Sequence, residues 1–140
     1  MNPTLRNILA AVAGVLIGSA VNGTLISIGG GVIPPPAGTD VKTMEGLKAA
    51  MPLFEARHFL FPFLAHALGT FAGAAAAALL AASRKFHLAM LTGVVFLAGG
   101  IGAVTMLPAP MWFNVLDLAG AYIPMAWLGW KLATLKGKAV

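Results

Sequence analysis

The chain has 140 residues, 59% hydrophobic and only 9% charged, with mean hydropathy +0.90; an ordinary soluble domain carries roughly a quarter of its residues as charges, so the composition argues against a water-soluble fold. A net charge of +5 does not signal nucleic acid, because the basic residues sit dispersed at the ends of apolar segments, without a clustered stripe or aromatic platform, and suit anionic lipid headgroups instead. Cysteine is absent, which excludes disulfides, thiolate metal sites and CxxC redox chemistry.

The first apolar segment, about residues 8–28, follows Arg6. It is expected to stop at Gly29-Gly30-Gly31 and Pro34-Pro35-Pro36, since glycine weakens a helix and consecutive prolines impose an extended chain. Ile17-Gly18-Ser19-Ala20 would suit signal cleavage. The apolar run continues past it to spanning length, about 20 residues, so a retained helix is expected.

Residues 37–57 form the one substantial polar connection. Within it Val41, Met44, Leu47 and Met51 recur at helical spacing opposite Lys42, Glu45 and Lys48, and Pro52 follows. That pattern predicts a short amphipathic helix, about 41–51, on the membrane surface; a solvated loop with one helical turn is the alternative. The second span, about 60–82, begins either near Arg57 with Pro62 as a kink or with Pro62 in its first turn, the position proline favours. Ser83-Arg84-Lys85 closes it, and the third span, about 88–107, stops at Pro108-Ala109-Pro110.

The fourth span, about 112–131, has Trp112 at one end and Trp127 and Trp130 at the other. Along a helix these are roughly 22 to 27 Å apart, which matches two interfacial aromatic belts. Pro124 predicts a kink inside it.

The expected fold is therefore all-α: a polytopic membrane protein, residues 1–140, with four transmembrane helices in one compact bundle and an interfacial helix between the first two. Ala65, Gly69, Gly73, Ala77 and Ala81 fall every fourth residue along the second span, with looser counterparts in Gly14, Gly18 and Asn22 and in Ala89, Gly93 and Gly100. Small side chains let membrane helices approach closely. Arg6, Arg84, Lys85, Lys131, Lys136 and Lys138 lie toward one side and Lys42, Lys48 and Arg57 toward the other. Six against three predicts both termini in the cytoplasm, in a bacterial inner membrane. The expected partners are membrane lipids, further copies of the chain in a homo-oligomer or a larger membrane complex, and not nucleic acid.

Two groups inside the spans are foreign to hydrocarbon, His66 and Asp117. Counting from the outer helix ends places both, with Asn22, about 6 to 9 Å below the outer interface. Thr70 sits one turn below His66, and Tyr122 lies deeper on the fourth span. An isolated carboxylate at the bilayer centre costs at least ~2.5 to 3.5 kcal/mol, less near the interface, and an imidazole partner would offset much of it. His66 and Asp117 are expected to pair across helices, with Asn22 completing the group. Histidine exchanges protons near neutral pH, so Asn22, His66, Thr70, Asp117 and Tyr122 form a candidate proton site; a polar clamp that fixes helix register is the alternative.

Glu55 and His58 share one helix face by their E-x-x-H spacing and form a second, outer interfacial candidate. A dimetal bundle centre needs several more carboxylates than the chain supplies, and a single interfacial metal competes with a simple ion pair to Arg57. His58 and His66 lie about 12 Å apart on one helix, which rules out bis-histidine haem within a subunit. Nucleophile elbows, phosphate-binding loops and HExxH motifs are absent. No cofactor is implied. Three functions fit: an oligomeric proton-linked or small-solute transport unit, a non-catalytic accessory or assembly subunit, and a lipid- or quinone-directed membrane enzyme, with a non-enzymatic role favoured.

Overall fold

The computed structural model describes residues 1–135, so Lys136 and Lys138 lie outside the described residues. Among the described residues every regular element is helical: α1 (Pro3–Val32), α2 (Met44–Ala50), α3 (Leu60–Leu80), α4 (Lys85–Met106), α5 (Met111–Gly120) and α6 (Ile123–Leu135). Short 3₁₀ turns, Met51–Leu53 and Ala56–Phe59, join α2 to α3. Three helices are long and apolar enough to cross a membrane: α1, α3 with its preceding turn, and α4.

The start of α1 is set by Asn2, whose side chain accepts the Thr4 N–H at 2.8 Å, and by Pro3 in the first turn, where its missing N–H costs nothing. The expected stop at Gly29 is corrected: the helix runs through the glycine triplet to Val32, and the Ile33 N–H still bonds the Gly29 carbonyl. A helix long and apolar enough to cross a membrane would keep its backbone hydrogen bonds there, because opening one is costly in hydrocarbon. Gly29 serves close approach, since a Cβ there would drive into the Phe61 side chain. The prolines that follow end the helix.

The amphipathic helix is shorter than the expected 41–51. Thr43 caps it, its hydroxyl accepting the Gly46 N–H at 3.0 Å, and Val41 remains in the preceding loop. Its inward side does not lie free on a surface; Leu47 and Met51 pack against Phe59 and Phe113. Residues 33–59 thus form a cap over one end of the bundle. Pro62 falls in the first turn of α3, which continues unbroken to Leu80.

At the opposite, basic end, the turn between α3 and α4 is closed by the N-terminal segment. Arg6 Nε donates to the Leu80 carbonyl at 2.8 Å, satisfying an orphan acceptor at the end of α3. The Asn7 amide accepts the Ala82 and Ser83 N–H groups and donates to the Ser83 hydroxyl. Arg84 then takes a left-handed conformation, φ 52°, which reverses the chain.

The continuous fourth span expected over 112–131 is also corrected: it is two helices, α5 and α6, separated at Ala121–Tyr122. Pro124 has no N–H to return to the Gly120 carbonyl, and glycine is itself a weak helix former. Hydrogen bonding resumes at once, with Ala121 N–H on the Asp117 carbonyl and Ala126 N–H on the Tyr122 carbonyl. The break turns Tyr122 into the bundle, where it is buried.

α3 is the hub, packed against α1, α4 and α6. Its small-residue stripe is the contact surface. A Cβ on Gly14 would stand 2.7 Å from the Gly73 carbonyl, and one on Gly18 2.7 Å from the Gly69 carbonyl, so α1 and α3 meet backbone to backbone. Gly129 of α6 similarly faces the Phe71 carbonyl at 2.5 Å. The interior is built mostly from alanine, and its largest fully buried side chains are Thr70 and Thr92. Leucines and valines point outward, with Leu16 64%, Leu79 58% and Leu132 51% exposed. This inverts the water-soluble arrangement and suits a solvent as apolar as leucine.

Candidate functional site

The polar group gathers where α3 faces the break between α5 and α6. His66 comes from the second turn of α3, Asp117 from the last turns of α5, and Tyr122 from the break itself. His66 Nδ1 lies 2.8 Å from Asp117 Oδ1 and 3.0 Å from Oδ2. The Tyr122 hydroxyl donates to Asp117 Oδ2 at 2.8 Å and stands 3.1 Å from His66 Nδ1. The phenol and imidazole rings are stacked, centroids 5.8 Å apart. Gly100 of α4 makes room for the phenol: a Cβ there would be 2.5 Å from the hydroxyl.

Asp117 is almost wholly buried, its side chain 5% exposed against 24% for His66. A buried carboxylate is tolerable only when its oxygens are bonded, and here both are. With Asp117 accepting at Nδ1, that nitrogen carries a proton and the neutral imidazole presents Nε2 as an acceptor. Nε2 has no partner among the described residues and is not among the buried unpaired atoms. A carboxylate and a phenol therefore orient one nitrogen of the ring and leave the other accessible.

Two cavities meet at His66. One, of about 290 Å³, lies beneath the cap and is lined mainly by apolar groups, among them Ile26, Gly30, Met51, Phe61, Val104 and Phe113, with His58, His66, Asn114 and Asp117 as polar members. The second, of about 220 Å³, is lined by Asn22, His66, Thr70, Phe96, Gly99 and Tyr122 with their neighbours. They share His66, Gly100 and Ala103. α1 and α4 contribute to both, and Gly18 of α1 abuts Phe96 of α4.

The expectation that Asn22 completes the His66–Asp117 group is corrected. Its Oδ1 is buried with no hydrogen-bond partner, and the residue faces His66 only across the second cavity. Thr70 donates to the His66 carbonyl at 2.7 Å, an ordinary bond back along the helix. At the outer candidate, Glu55 pairs with Arg57 at 3.0 Å on an exposed surface. His58 is buried and spends both ring nitrogens on backbone: Nδ1 accepts the Glu55 N–H at 2.8 Å and Nε2 donates to the Pro34 carbonyl at 3.2 Å. It closes the cap rather than offering a ligand atom. Among the described residues no group of three or more histidine, aspartate or glutamate side chains is placed to hold a metal ion.

Sequence reasoning missed the apolar chamber and the lining contributed by Phe61, Phe96 and Phe113. Nothing in their spacing marks them, because the chamber arises from the fold of the cap. Gly100, read there only as packing, is the residue that admits Tyr122.

No protein-family model matches the chain, and comparison with curated proteins and with solved structures finds no match either.

Proposed function

We propose that the protein is a four-crossing membrane protein that exchanges a proton with a lipid- or quinone-like molecule drawn from the bilayer. The fourth crossing is the broken pair α5–α6, and both termini face the cytoplasm of a bacterial inner membrane. Support for the orientation comes from Arg6, Arg84, Lys85 and Lys131 lying toward one end, the side that basic residues mark.

The observation that carries the reading is the histidine itself: Nδ1 fixed by Asp117 and Tyr122, Nε2 accessible, and a largely apolar cavity at its side. An oriented imidazole with a carboxylate behind it is a competent general base. Nε2 takes the proton of a bound hydroxyl, the resulting imidazolium is held by Asp117, and the same proton returns when the ligand leaves. Proton-linked transport, the reading the sequence favours, is less well served. Transport needs a path through the bundle, and beyond the site α3 lies in backbone contact with α1 and α6.

The test is titration of 4-decylphenol into the protein in nanodiscs with the phenolate absorption band read alongside binding, because the proton passes from ligand to His66 and none is taken from the buffer. The native chain should bind with appearance of that band, and His66→Gln should abolish it. Gly30→Leu should weaken binding, because Gly30 lines the apolar cavity and a side chain there meets nothing within 4 Å. Gly31→Leu, equally unobstructed but outside both cavities, should not. Binding indifferent to both His66→Gln and Gly30→Leu would remove the proposal. His66-dependent proton flux across liposomes would restore transport.

A further inference from the structure

We infer that His58 is a pH latch on the cap: neutral, it pins the cap over the larger cavity, and protonated it lets go, so that acid on the capped side opens that cavity to exchange of its ligand. The inference rests on the reading of the larger cavity as the ligand's place and adds the regulation of access to it.

The cap is stitched together at one point. His58 Nε2 donates to the Pro34 carbonyl at 3.2 Å, a bond that spans 24 positions and joins the end of the segment to its beginning. Among the described residues every other hydrogen bond inside 33–59 joins groups no more than four positions apart, such as Thr39 on Pro36 and Gly46 on Thr43. The rest of the hold is apolar packing of Leu47 and Met51 on Phe59 and Phe113. Ile33, Pro35, Val41, Leu47, Met51 and Phe54 of the cap line one side of the cavity, so loosening the stitch opens this wall and leaves His66 with its partners.

The stitch demands an uncharged ring. Nδ1 accepts the Glu55 N–H at 2.8 Å while Nε2 donates to Pro34. That is one tautomer of neutral imidazole, and imidazolium cannot reproduce it because both of its nitrogens are donors. A proton added at Nδ1 would face the Glu55 N–H, donor against donor. It would also put a charge on a ring that is 8% exposed and stands 5.1 Å from the Phe54 ring, which is costly without a counter-charge. Glu55 and Arg57, on the same turn, pair with each other at the surface, and among the described residues no carboxylate forms an ion pair with either nitrogen of His58. From α3 and α5, His66 and Asp117 share the cavity but are bonded to each other; α1, α2 and α4 bring only uncharged residues to it. The closed cap thus holds His58 without its second proton and the open cap admits it, so lowering the pH through the range in which histidine charges favours the open form.

The experiment follows the cap by itself. The chain has no cysteine, so spin labels at Lys48→Cys on α2 and Met106→Cys at the end of α4, both exposed, report the distance between cap and bundle in nanodiscs at about pH 8 and about pH 5. At the higher pH the native distance should be single and narrow, and at the lower a longer population should appear. His66→Gln should respond as the native chain does. His58→Asn should give the same distribution at both, because its amide oxygen accepts the Glu55 N–H and takes no charge. If His58→Asn does not fold, nitrogen NMR of the histidine rings in the native chain carries the test, with His66→Gln and His87→Gln assigning the signals. At the higher pH His58 should hold its proton on Nε2 and His66 on Nδ1, and the longer distances should appear over the pH interval in which the His58 ring charges. Decylbenzene, which offers His66 no proton, should leave the native chain about tenfold faster at the lower pH, the value of one buried hydrogen bond, and at equal rates in His58→Asn. A native cap indifferent to pH, or one whose response survives His58→Asn, overturns the latch; a phenolate band still dependent on His66 then leaves the proton-exchange reading standing. A cap that opens through His58 while neither decylbenzene nor 4-decylphenol binds overturns the ligand reading and the gating built on it.

Discussion

The two halves of α3 meet their neighbours by opposite means. Toward the basic end, from Gly69 onward, contact is backbone against backbone: Gly69 on Gly18, Gly73 on Gly14, and the Phe71 carbonyl on Gly129. Toward the cap, contact passes through side chains, with His66 bonded to Asp117 and Tyr122 and, in the 3₁₀ turn that leads into the helix, His58 bonded to backbone and Phe59 packed on Phe113. Close backbone approach leaves no volume for a ligand. Large side chains prop helices apart, and the larger cavity lies in the propped half, while the smaller one reaches the boundary at Gly69 and Thr70. One helix thus combines an anchor and a site by changing residue size along its length.

The strongest way to break this contrast is to enlarge the anchor. Gly73→Leu would force a side chain against the Gly14 carbonyl, 2.5 Å from the Cβ, and backbone cannot yield as a flexible side chain does. The expected cost is about 3 kcal/mol or more, seen as early aggregation on heating in mild detergent. Second is the centre of the polar network. Asp117→Ala leaves the Tyr122 hydroxyl and His66 Nδ1 without their shared acceptor and should cost roughly 3 kcal/mol, with Asp117→Asn retaining part of it; the same melting assay separates the two.

Smaller effects sharpen the contrast. His58→Ala removes two bonds that close the cap and should cost about 1 to 2 kcal/mol, weakening 4-decylphenol binding without removing the phenolate band of the bound ligand. Titration followed by absorption would show that split. Arg6→Ala deletes one exposed bond to the Leu80 carbonyl at the anchored end and should cost less than about 1 kcal/mol. A large binding defect in that variant would mean that the two halves are coupled.

Particular residues show what was legible beforehand. The four-residue spacing of Ala65, Gly69, Gly73, Ala77 and Ala81 already names the helix face that other helices approach, because period and size are both local properties. Counting residues from helix ends puts His66, Asp117 and Asn22 at one level. It cannot give the rotation of each helix about its axis, and rotation separates the outcomes: His66 and Asp117 meet, whereas the Asn22 amide oxygen is left buried and unpaired. The glycine triplet at 29–31 misleads because helix propensities describe chains in water, where freed backbone groups find other partners. Pro124 announces a disturbance but not its size, and only the fold shows that a full break is what delivers Tyr122 to Asp117. The chambers were invisible, since the larger is covered by a cap whose docking depends on contacts far apart in the chain, and the smaller is bounded by residues of α1, α3 and α4 with Tyr122.

An interior made of alanine, glycine and threonine also changes where the chain can vary. Its bulky residues face outward, where an apolar surrounding would not distinguish leucine, isoleucine, valine and phenylalanine. Its smallest residues touch neighbouring backbone and admit almost no substitute. Identity should therefore persist longest at positions with the least side chain, and relatives of this protein would be recognised by the spacing of their glycines and alanines around one histidine, one aspartate and one tyrosine, more than by any shared run of large hydrophobic residues.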